Sequence, residues 1–319
     1  MKRIVSLLLI LSFVFAFVAC DSASTTMTMG TGSPTGTYYA YGSIVGQYIT
    51  NNAGVTVNAV STGGSKANIQ GIDSGDYQLG TVQSDVMHYA WNGTRSFETD
   101  GKIETFRTVA GLYAEAVQLV TVNADIKSVA DLKGKKVSIG APGSGVYFNA
   151  MDVLDAAGIT LDDIQPQYQN FDESADALKD GKIDAAFIVA GAPTPAITEL
   201  AMTNANTRIV PVDGDIAKAL MESNTFYSVY KIPANTYKNQ EEEILTVTVK
   251  ATLIVSADAS EDDVYNLTKA IFDNIEAISE EHAKGKELSL ENATTGLTVP
   301  FHAGAAKYFK EKGIEVATE

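Results

Sequence analysis

The chain has 319 residues, of which 45% are apolar and 19% are charged, with 26 Gly and 8 Pro. These proportions are those of an ordinary globular protein, and they exclude a disordered, collagen-like or coiled-coil chain. The formal charge is −16, and no Lys/Arg-rich run interrupts it, which argues against a nucleic-acid partner. The length is sufficient for two domains.

The first residues predict export. Lys2 and Arg3 precede an almost unbroken apolar run over residues 4–18, which is too short to span a bilayer comfortably. We therefore predict a signal peptide over residues 1–19 and a protein that is periplasmic or at the cell surface.

The only cysteine, Cys20, follows this run directly. Residues 17–20 resemble a bacterial lipobox, in which the cysteine is lipidated and the preceding peptide is removed. The resemblance implies lipid attachment at Cys20, and residues 20–26 then form a short tether, so that the membrane is contacted only through the anchor. The alternative is a plain signal peptide followed by an unrelated cysteine.

Three strand-to-helix units follow in the first third of the chain. Each predicted strand ends in a polar or Gly-rich turn that opens a helix, which is typical of βα units. The predicted strands are Thr26–Met29, Val55–Val60 and Tyr77–Val82; the predicted helices are Thr37–Asn51, Lys66–Ser74 and a third that begins at residues 83–85.

The middle of the chain repeats this pattern with different residues. Glu115–Val122 is a β-like run that could leave the first domain, and Thr246–Ser256 is a β-rich run that could return to it. Between them we predict strands Lys136–Ile139 and Ile183–Ala190, with helices from residue 145 through Ala157 and over Asp172–Lys179, whereas one long helix is predicted over Ser260–Ser279.

These patterns predict an α/β protein with two lobes joined by a two-strand hinge. We expect one lobe over residues 27–118 plus 245–319 and the other over residues 119–244. A cleft between hinged lobes is a place where a small ligand can be enclosed.

The predicted cleft can bind an anion without basic side chains, because helix N-termini carry partial positive charge and free N–H donors. In residues 20–100 the only basic residues are Lys66 and Arg95, so the first lobe would rely on backbone N–H groups and hydroxyls. The candidate side chains are Thr31, Ser33, Thr35, Ser61, Thr62, Ser65, Asn68, Gln83 and Ser84, with Tyr38 and Tyr39 as walls.

Enzyme signatures are incomplete. Gly30, Gly32 and Gly36 form a G-x-G-x-x-x-G run that is one residue too long for a dinucleotide fingerprint, and no acidic residue ends the second strand. Ser144 does not lie in a G-x-S-x-G elbow. The three histidines, His88, His282 and His302, lack metal-ligand spacing. We therefore expect no catalytic residues, metal or cofactor.

The ordered motifs of the mature chain resemble the TAXI family, the extracytoplasmic solute receptors of tripartite ATP-independent periplasmic (TRAP) transporters. The matching motifs are residues 29–32 and 36–39, residues 61–65 with Asn68, residues 75–76, 79–80 and 83–85, residues 143–145, Asp184, Phe187, residues 191–193, and residues 300–305 with Tyr308. This chain departs from the family at Pro34 and Thr35, at Val146, where Thr is common, and at Ala303, where Pro is usual.

The resemblance implies a two-lobed periplasmic-binding fold of type II that delivers a small carboxylate or amino acid, such as glutamate, to TRAP permease subunits. It implies a receptor without enzymatic activity, and a monomer is the default expectation for its oligomeric state. The ligand-binding residues carried over by position are Thr31, Gly32, Tyr38, Ser65, Asn68, Gln83 and Ser84 from the first lobe, and Ser144, Tyr147 and Gly191 from the second. Two alternatives remain open: a receptor for an ABC importer or sensor kinase, and a secreted enzyme on the same fold.

Overall fold

The computed structural model describes residues 25–319. The predicted signal peptide and Cys20 lie outside this part of the chain, while Thr25 and Thr26, at the end of the predicted tether, belong to the first strand. The strands are β1 (Thr25–Gly30), β2 (Val55–Val60), β3 (Leu79–Gln83), β4 (Phe106–Thr121), β5 (Lys136–Ser138), β6 (Gln165–Gln167), β7 (Ala185–Ala190), β8 (Arg208–Val210), β9 (Ser228–Ile232) and β10 (Ile244–Ser256).

Eleven α-helices lie in the described residues. They are α1 (Thr37–Asn52), α2 (Ser65–Asp73), α3 (Ser84–Asn92), α4 (Gly145–Ala156), α5 (Phe171–Lys179), α6 (Pro195–Thr203), α7 (Gly214–Ser223), α8 (Glu261–Phe272), α9 (Ile275–Glu281), α10 (Leu290–Thr294) and α11 (Ala303–Glu311). Short 3-10 helices add turns at Arg95–Phe97, Val129–Leu132, Leu161–Asp163 and Ala283–Glu287.

The strands form one ten-stranded sheet, in the order β2-β1-β3-β10-β4-β7-β5-β6, with β8 paired to β4 and β9 paired to β10. Strands β2, β1 and β3 are parallel to one another, as are β6, β5 and β7. The carboxyl ends of parallel strands are where open α/β sheets bind ligands.

Strands β4 and β10 connect the two parts of the sheet. The later residues of β10 pair with β3, whereas its first residues, Ile244–Thr248, pair with β9. The final residues of β4, from Ala116 to Thr121, pair with β7. We call β1–β3 with α1–α3 and α8–α11 the first group, and β5–β8 with α4–α7 the second group.

Each group has its own apolar core on both faces of its strands. In the first group, Tyr41 and Ile49 of α1 pack with Leu267 of α8 and Phe309 of α11, while α2 and α3 cover the other face. In the second group, α4 and α7 pack on one face and α5 and α6 on the other. Strand β7 has a nearly continuous apolar sequence because helices cover both of its faces.

One sequence prediction is wrong. The long helix over Ser260–Ser279 is broken into α8 and α9 at Asp273 and Asn274. The Asn274 side chain donates a hydrogen bond to the Ala270 carbonyl at 2.7 Å, which competes with continuation of the helical hydrogen bonds. Strand β4 also begins earlier than predicted, at Phe106. Within residues 25–319, no helix has the length and apolar character needed to cross a membrane.

Candidate functional site

A cavity of about 70 Å³ lies between the first and second groups. One water needs about 10–15 Å³ of such space, so the cavity has room for several waters or a small solute. The residues that line it come from both groups: Gly32, Ser33, Gly36, Thr37, Tyr38, Thr62, Gly63, Gly64, Ser65, Gln83, Glu115, Ala141, Ser144, Gly145, Val146, Gln169, Asn170, Phe171, Val189 and Ala190.

The first group contributes the turns that follow β1, β2 and β3. These turns lead into α1, α2 and α3, and none of the three helices has a side-chain hydrogen bond at its N-cap. The turn before α2 places Gly64 at φ +100°, a conformation that favours glycine. A Cβ at Gly64 would lie 3.5 Å from the Ser144 Cα, so the two groups approach each other closely here.

The second group contributes the turn that follows β5 and opens α4. Its carbonyl at Gly143 accepts hydrogen bonds from the backbone N–H groups of Lys66 and Ala67, at 3.0 and 3.3 Å. The first turn of α2 is therefore capped by the opposite group. At Gly145 an added Cβ would lie 1.8 Å from Gln83 Oε1 and 3.0 Å from Ser65 Oγ, so only glycine allows this approach.

Further hydrogen bonds join the two groups at the edge of the cavity. Asp172, in the first turn of α5, accepts hydrogen bonds from the hydroxyls of Thr35 and Ser33, the latter at 3.1 Å. The Thr37 hydroxyl donates to the Gly191 carbonyl at 2.8 Å. Together with the Gly143 contacts, these bonds hold the two groups together around the cavity, and we call the Asp172 bonds the rim contacts.

A buried carboxyl group lies in the cavity wall. Glu115, on β4, is 1% exposed. Burial raises the pKa of Glu115 to about 8, and the nearby carboxyl of Asp85 also raises it, while Tyr38, Gln83 and Lys284 lower it. Lys284 itself forms an ion pair with Glu287 at 2.6 Å.

Several buried polar atoms of the cavity wall have no hydrogen-bond partner among the described residues. They are Glu115 Oε2, Gln83 Oε1, Gln169 Oε1 and the Tyr38 hydroxyl. Burial, followed by the charge of Glu115, raises the pKa of Tyr38 well above its usual value, so this hydroxyl keeps its proton. Buried polar groups are normally satisfied. A molecule that donates hydrogen bonds to the three oxygens and accepts one from the Tyr38 hydroxyl would therefore supply what these atoms lack.

The cavity also presents helix N-termini. The N-caps and first turns of α1 and α4 line it from opposite groups; the α1 N-cap, Gly36, has no side chain, and the α4 N-cap, Ser144, makes no side-chain cap hydrogen bond. Among the described lining residues there is no Lys, Arg or His. An anionic group in the cavity would therefore be held by helix N-termini and hydroxyls.

Of the ten ligand-binding residues carried over by position, five line the cavity: Gly32, Tyr38, Ser65, Gln83 and Ser144; the other candidates Ser33 and Thr62 also line it. Ser65 Oγ accepts a hydrogen bond from the Gln83 backbone N–H at 3.1 Å, which fixes the end of β3 against α2. Ser144 Oγ donates to the Ala141 carbonyl at 2.7 Å.

The other five predicted residues lie outside the lining set. Thr31 donates to the Val60 carbonyl, and Asn68 donates to the carbonyls of Thr31 and Thr81, so both side chains hold the turns in place. Ser84 accepts a hydrogen bond from the Lys250 N–H. Tyr147 packs its ring against Phe148 and Tyr168, and Gly191 presents its carbonyl to Thr37 and Thr194.

Sequence reasoning missed the acidic residue of the cavity wall. A signal was present, because Glu115 is the only charged residue in the apolar run over residues 109–122. A lone acidic residue in a buried strand costs free energy unless it is paired or neutral, and such positions are often functional. The contributions of Gln169 and Phe171 were also missed, since nothing in their local sequence distinguishes them from loop and helix-start residues.

A second polar contact joins the two groups between α3 and α4; we call it the α3–α4 contact. Asn149 donates hydrogen bonds to Asp85 Oδ2 at 3.1 Å and to the Tyr227 hydroxyl at 2.8 Å. Arg95 pairs with Asp152, and the Tyr227 hydroxyl donates to Asp152 at 3.0 Å.

The carboxyl of Asp85 in this contact is fully buried. Burial raises the pKa of Asp85 to about 7, and the charge of Asp152 raises it further. Asp85 Oδ1 and Asn149 Oδ1 have no partner among the described residues. Over residues 25–319, no group of three or more His, Cys, Asp or Glu side chains could hold a metal ion.

The sequence was compared with models of protein families. The model of the NMT1-like family matches residues 29–313. The chain belongs to the NMT1-like family.

The match to an individual relative covers a much smaller part of the chain. An Escherichia coli (strain K12) protein described as an aliphatic sulfonates-binding protein is 41% identical over 69 residues, which are 22% of this chain and 21% of that protein. The match thus spans about a fifth of the relative's length.

Solved structures share the fold. A protein from Bordetella bronchiseptica RB50 superposes with a TM-score of 0.55 at 19% identity, covering 90% of this chain and 89% of that one. An ancestral arginine-binding protein bound to arginine superposes with a TM-score of 0.51 at 17% identity, covering 83% of this chain and 98% of that one. The chain therefore has the two-lobed α/β fold of periplasmic binding proteins, as predicted.

Proposed function

We propose that this protein is an extracytoplasmic solute-binding receptor that closes on a small carboxylate or amino acid and presents it to a membrane permease. The observation that carries this proposal is the cavity between the two groups. It is lined from both sides, and the atoms of its wall that lack partners are polar and buried. A folded protein gains stability when a ligand satisfies such atoms.

The predicted lobes fit this role. We propose that residues 27–118 plus 245–319 form the first lobe, residues 119–244 form the second, and β4 and β10 form the hinge between them. A rotation about two strands would open the cavity with little change inside either core. The anchor proposal, lipid at Cys20 after removal of residues 1–19, is tested by the mass of the N-terminal peptide of the mature protein.

We propose that all ten predicted ligand-binding residues belong to the site at two levels. Those that line the cavity would contact the solute directly. Thr31, Asn68, Ser84, Tyr147 and Gly191 would act by positioning the turns and strand ends from which the contacts come.

The partner that we propose is the membrane permease of a TRAP transporter, on the resemblance of the ordered sequence motifs to the TAXI family. A second candidate is the permease of an ABC importer, since the E. coli relative is described as a sulfonates-binding protein and the arginine-binding protein shares the fold. Reconstitution with each permease separates them. TRAP-dependent uptake would follow an ion gradient, whereas uptake by an ABC importer would require ATP.

The receptor proposal is tested with the mature protein in a thermal-shift screen, followed by calorimetry. The panel contains amino acids, hydroxy acids, oxo acids, dicarboxylates, alkanesulfonates and sugars. We expect a ligand at 100 times its Kd to stabilise the folded state by about 2.7 kcal/mol. Denatured samples are checked by mass spectrometry for solute that copurified. If no compound binds and none copurifies, the receptor proposal is wrong.

A further inference from the structure

The cavity wall combines oxygen acceptors with helix N-termini. Glu115 Oε2, Gln83 Oε1 and Gln169 Oε1 are acceptors without partners among the described residues. None of the described lining side chains is basic. A purely anionic solute would leave the two glutamine oxygens unsatisfied and would keep Glu115 protonated, because carboxylate and sulfonate oxygens are acceptors themselves.

We propose that the solute carries an ammonium group that binds at the Glu115 carboxyl, while its own carboxylate lies at the N-termini of α1 and α4. This inference rests on the proposed receptor function and narrows it to α-amino acids, with Glu115 as the residue that selects them. Phe171, Val146 and Val189 line the cavity as apolar wall. The cavity offers about 70 Å³, which favours an amino acid with a short side chain.

Binding of the ammonium group is coupled to a proton. Glu115 is mostly protonated at neutral pH because burial raises its pKa to about 8. A cation beside the carboxyl favours its ionised form, so the Glu115 proton leaves to solvent as the ammonium group binds. A solute with a hydroxyl in place of the ammonium group has no such effect.

Other titratable groups face Glu115, and each is a possible source of the same proton. Tyr38 of α1 and Tyr113 of β4 have pKa values raised well above their usual value and do not titrate near neutrality. Lys284 comes from the 3-10 helix that follows α9 and is paired with Glu287. Asp85 of α3, with a pKa of about 7, is the remaining candidate. The Asp85→Asn variant therefore serves as the control.

The test compares pairs of compounds that differ only in the amino group: L-alanine with L-lactate, L-serine with L-glycerate, and L-glutamate with L-2-hydroxyglutarate. Calorimetry at pH 6.5, in two buffers with different ionisation enthalpies, gives both the Kd and the number of protons released. We expect the amino acid of at least one pair to bind on the order of 100-fold more tightly than its partner. We also expect release of close to one proton per bound amino acid, and affinity that rises from pH 5.5 to 8.

Two variants locate the effect. Glu115→Gln should weaken the binding of the amino acid on the order of 100-fold. It should also abolish proton release, because the amide cannot ionise. Asp85→Asn should keep the proton release and change the Kd less than about threefold. The comparison of compound pairs on the unmodified protein decides the question even if a variant does not fold.

The outcomes separate the two proposals. If hydroxy or oxo acids bind as tightly as amino acids or more tightly, without proton release, the ammonium inference is wrong while the receptor function stands. The same holds if the Glu115→Gln variant binds amino acids like the unmodified protein. If neither class binds, and no other solute of the panel does, both proposals fall.

Discussion

Two regions in which the groups meet contain a buried carboxyl with a raised pKa, yet they are built differently. Glu115 faces a cavity, and its Oε2 has no protein partner among the described residues. Asp85 is enclosed by protein in the α3–α4 contact, where Asn149 bonds to its Oδ2. The pKa values are about 8 and about 7, and burial is the largest cause of both shifts.

The difference shows that a raised pKa alone does not identify a binding group. In the α3–α4 contact, Asp85 is fully buried and already accepts a hydrogen bond from Asn149. In the cavity, there is space beside the carboxyl for a partner from outside the protein. Space beside the carboxyl separates a ligand-binding role from a structural one.

The largest expected effect is on stability and concerns Asp85→Asn. A carboxyl whose pKa is raised in the folded state binds more protons there than in the unfolded state. The unfolding free energy therefore falls as pH rises from the ordinary value of 3.8 to about 7. An amide has no such penalty, and its oxygen can still accept the hydrogen bond from Asn149. We expect the variant to be about 2–4 kcal/mol more stable at pH 8 and within about 1 kcal/mol at pH 4.

Urea unfolding of the ligand-free protein at pH 4 to 8 measures this difference. Glu115→Gln is the informative counterpart, since it should also gain stability toward pH 8 but lose amino-acid binding, whereas Asp85→Asn should gain stability alone. A less stable Asp85→Asn variant at pH 8 would mean that the α3–α4 contact requires an ionised Asp85, and the comparison would then fail.

The next effect concerns the space of the cavity. In Gly145→Ala, the new Cβ would lie 1.8 Å from Gln83 Oε1, so the Gln83 side chain must move. We expect the solute to bind about 10- to 100-fold more weakly, because displaced atoms occupy its place or hold the groups apart. The measurement is the Kd of the best ligand from the solute panel.

Gly63→Ala is the matched control for the cavity wall. Its Cβ would lie 3.4 Å from both Ala67 Cβ and the Pro142 carbonyl oxygen, which is ordinary contact. This variant should bind within about threefold of the unmodified protein. Equal affinity in all three proteins would show that the solute does not occupy the space between Gly145 and Gln83.

Sequence patterns predicted the alternation of strands and helices well, since β2 and the starts of α1 and β5 are where polar turns and apolar runs place them. They did not predict β6, β8 or β9, each of which pairs with a single neighbouring strand of the described sheet. Short strands of this kind are specified by tertiary contacts more than by local composition.

The candidate site was predictable where ligand-binding turns follow strands, as with Ser65, Gln83 and Ser144. It was not predictable from the first-lobe motifs that Asn68 is used to hold backbone carbonyls. Nor could local sequence reveal that Gln169 and Glu115, 54 positions apart in the chain, line one cavity. Their proximity results from how the two groups close on each other.

The smallest expected effect concerns the rim contacts, and it tests whether they help to keep the two groups closed around the solute. Asp172→Ala removes the rim contacts with Ser33 and Thr35. These bonds to a partly exposed carboxylate should contribute about 1 kcal/mol to the closed state, so solute should dissociate about fivefold faster with little change in its association rate. The control is Asp176→Ala, because Asp176 is exposed on the same helix; solute should dissociate from this variant at the same rate as from the unmodified protein. Stopped-flow measurements compare the three proteins. An unchanged dissociation rate in Asp172→Ala would assign closure to the α3–α4 contact instead. The two regions would then also differ in how they take part in opening. The α3–α4 contact alone would hold the two groups together, whereas the cavity would only receive the solute.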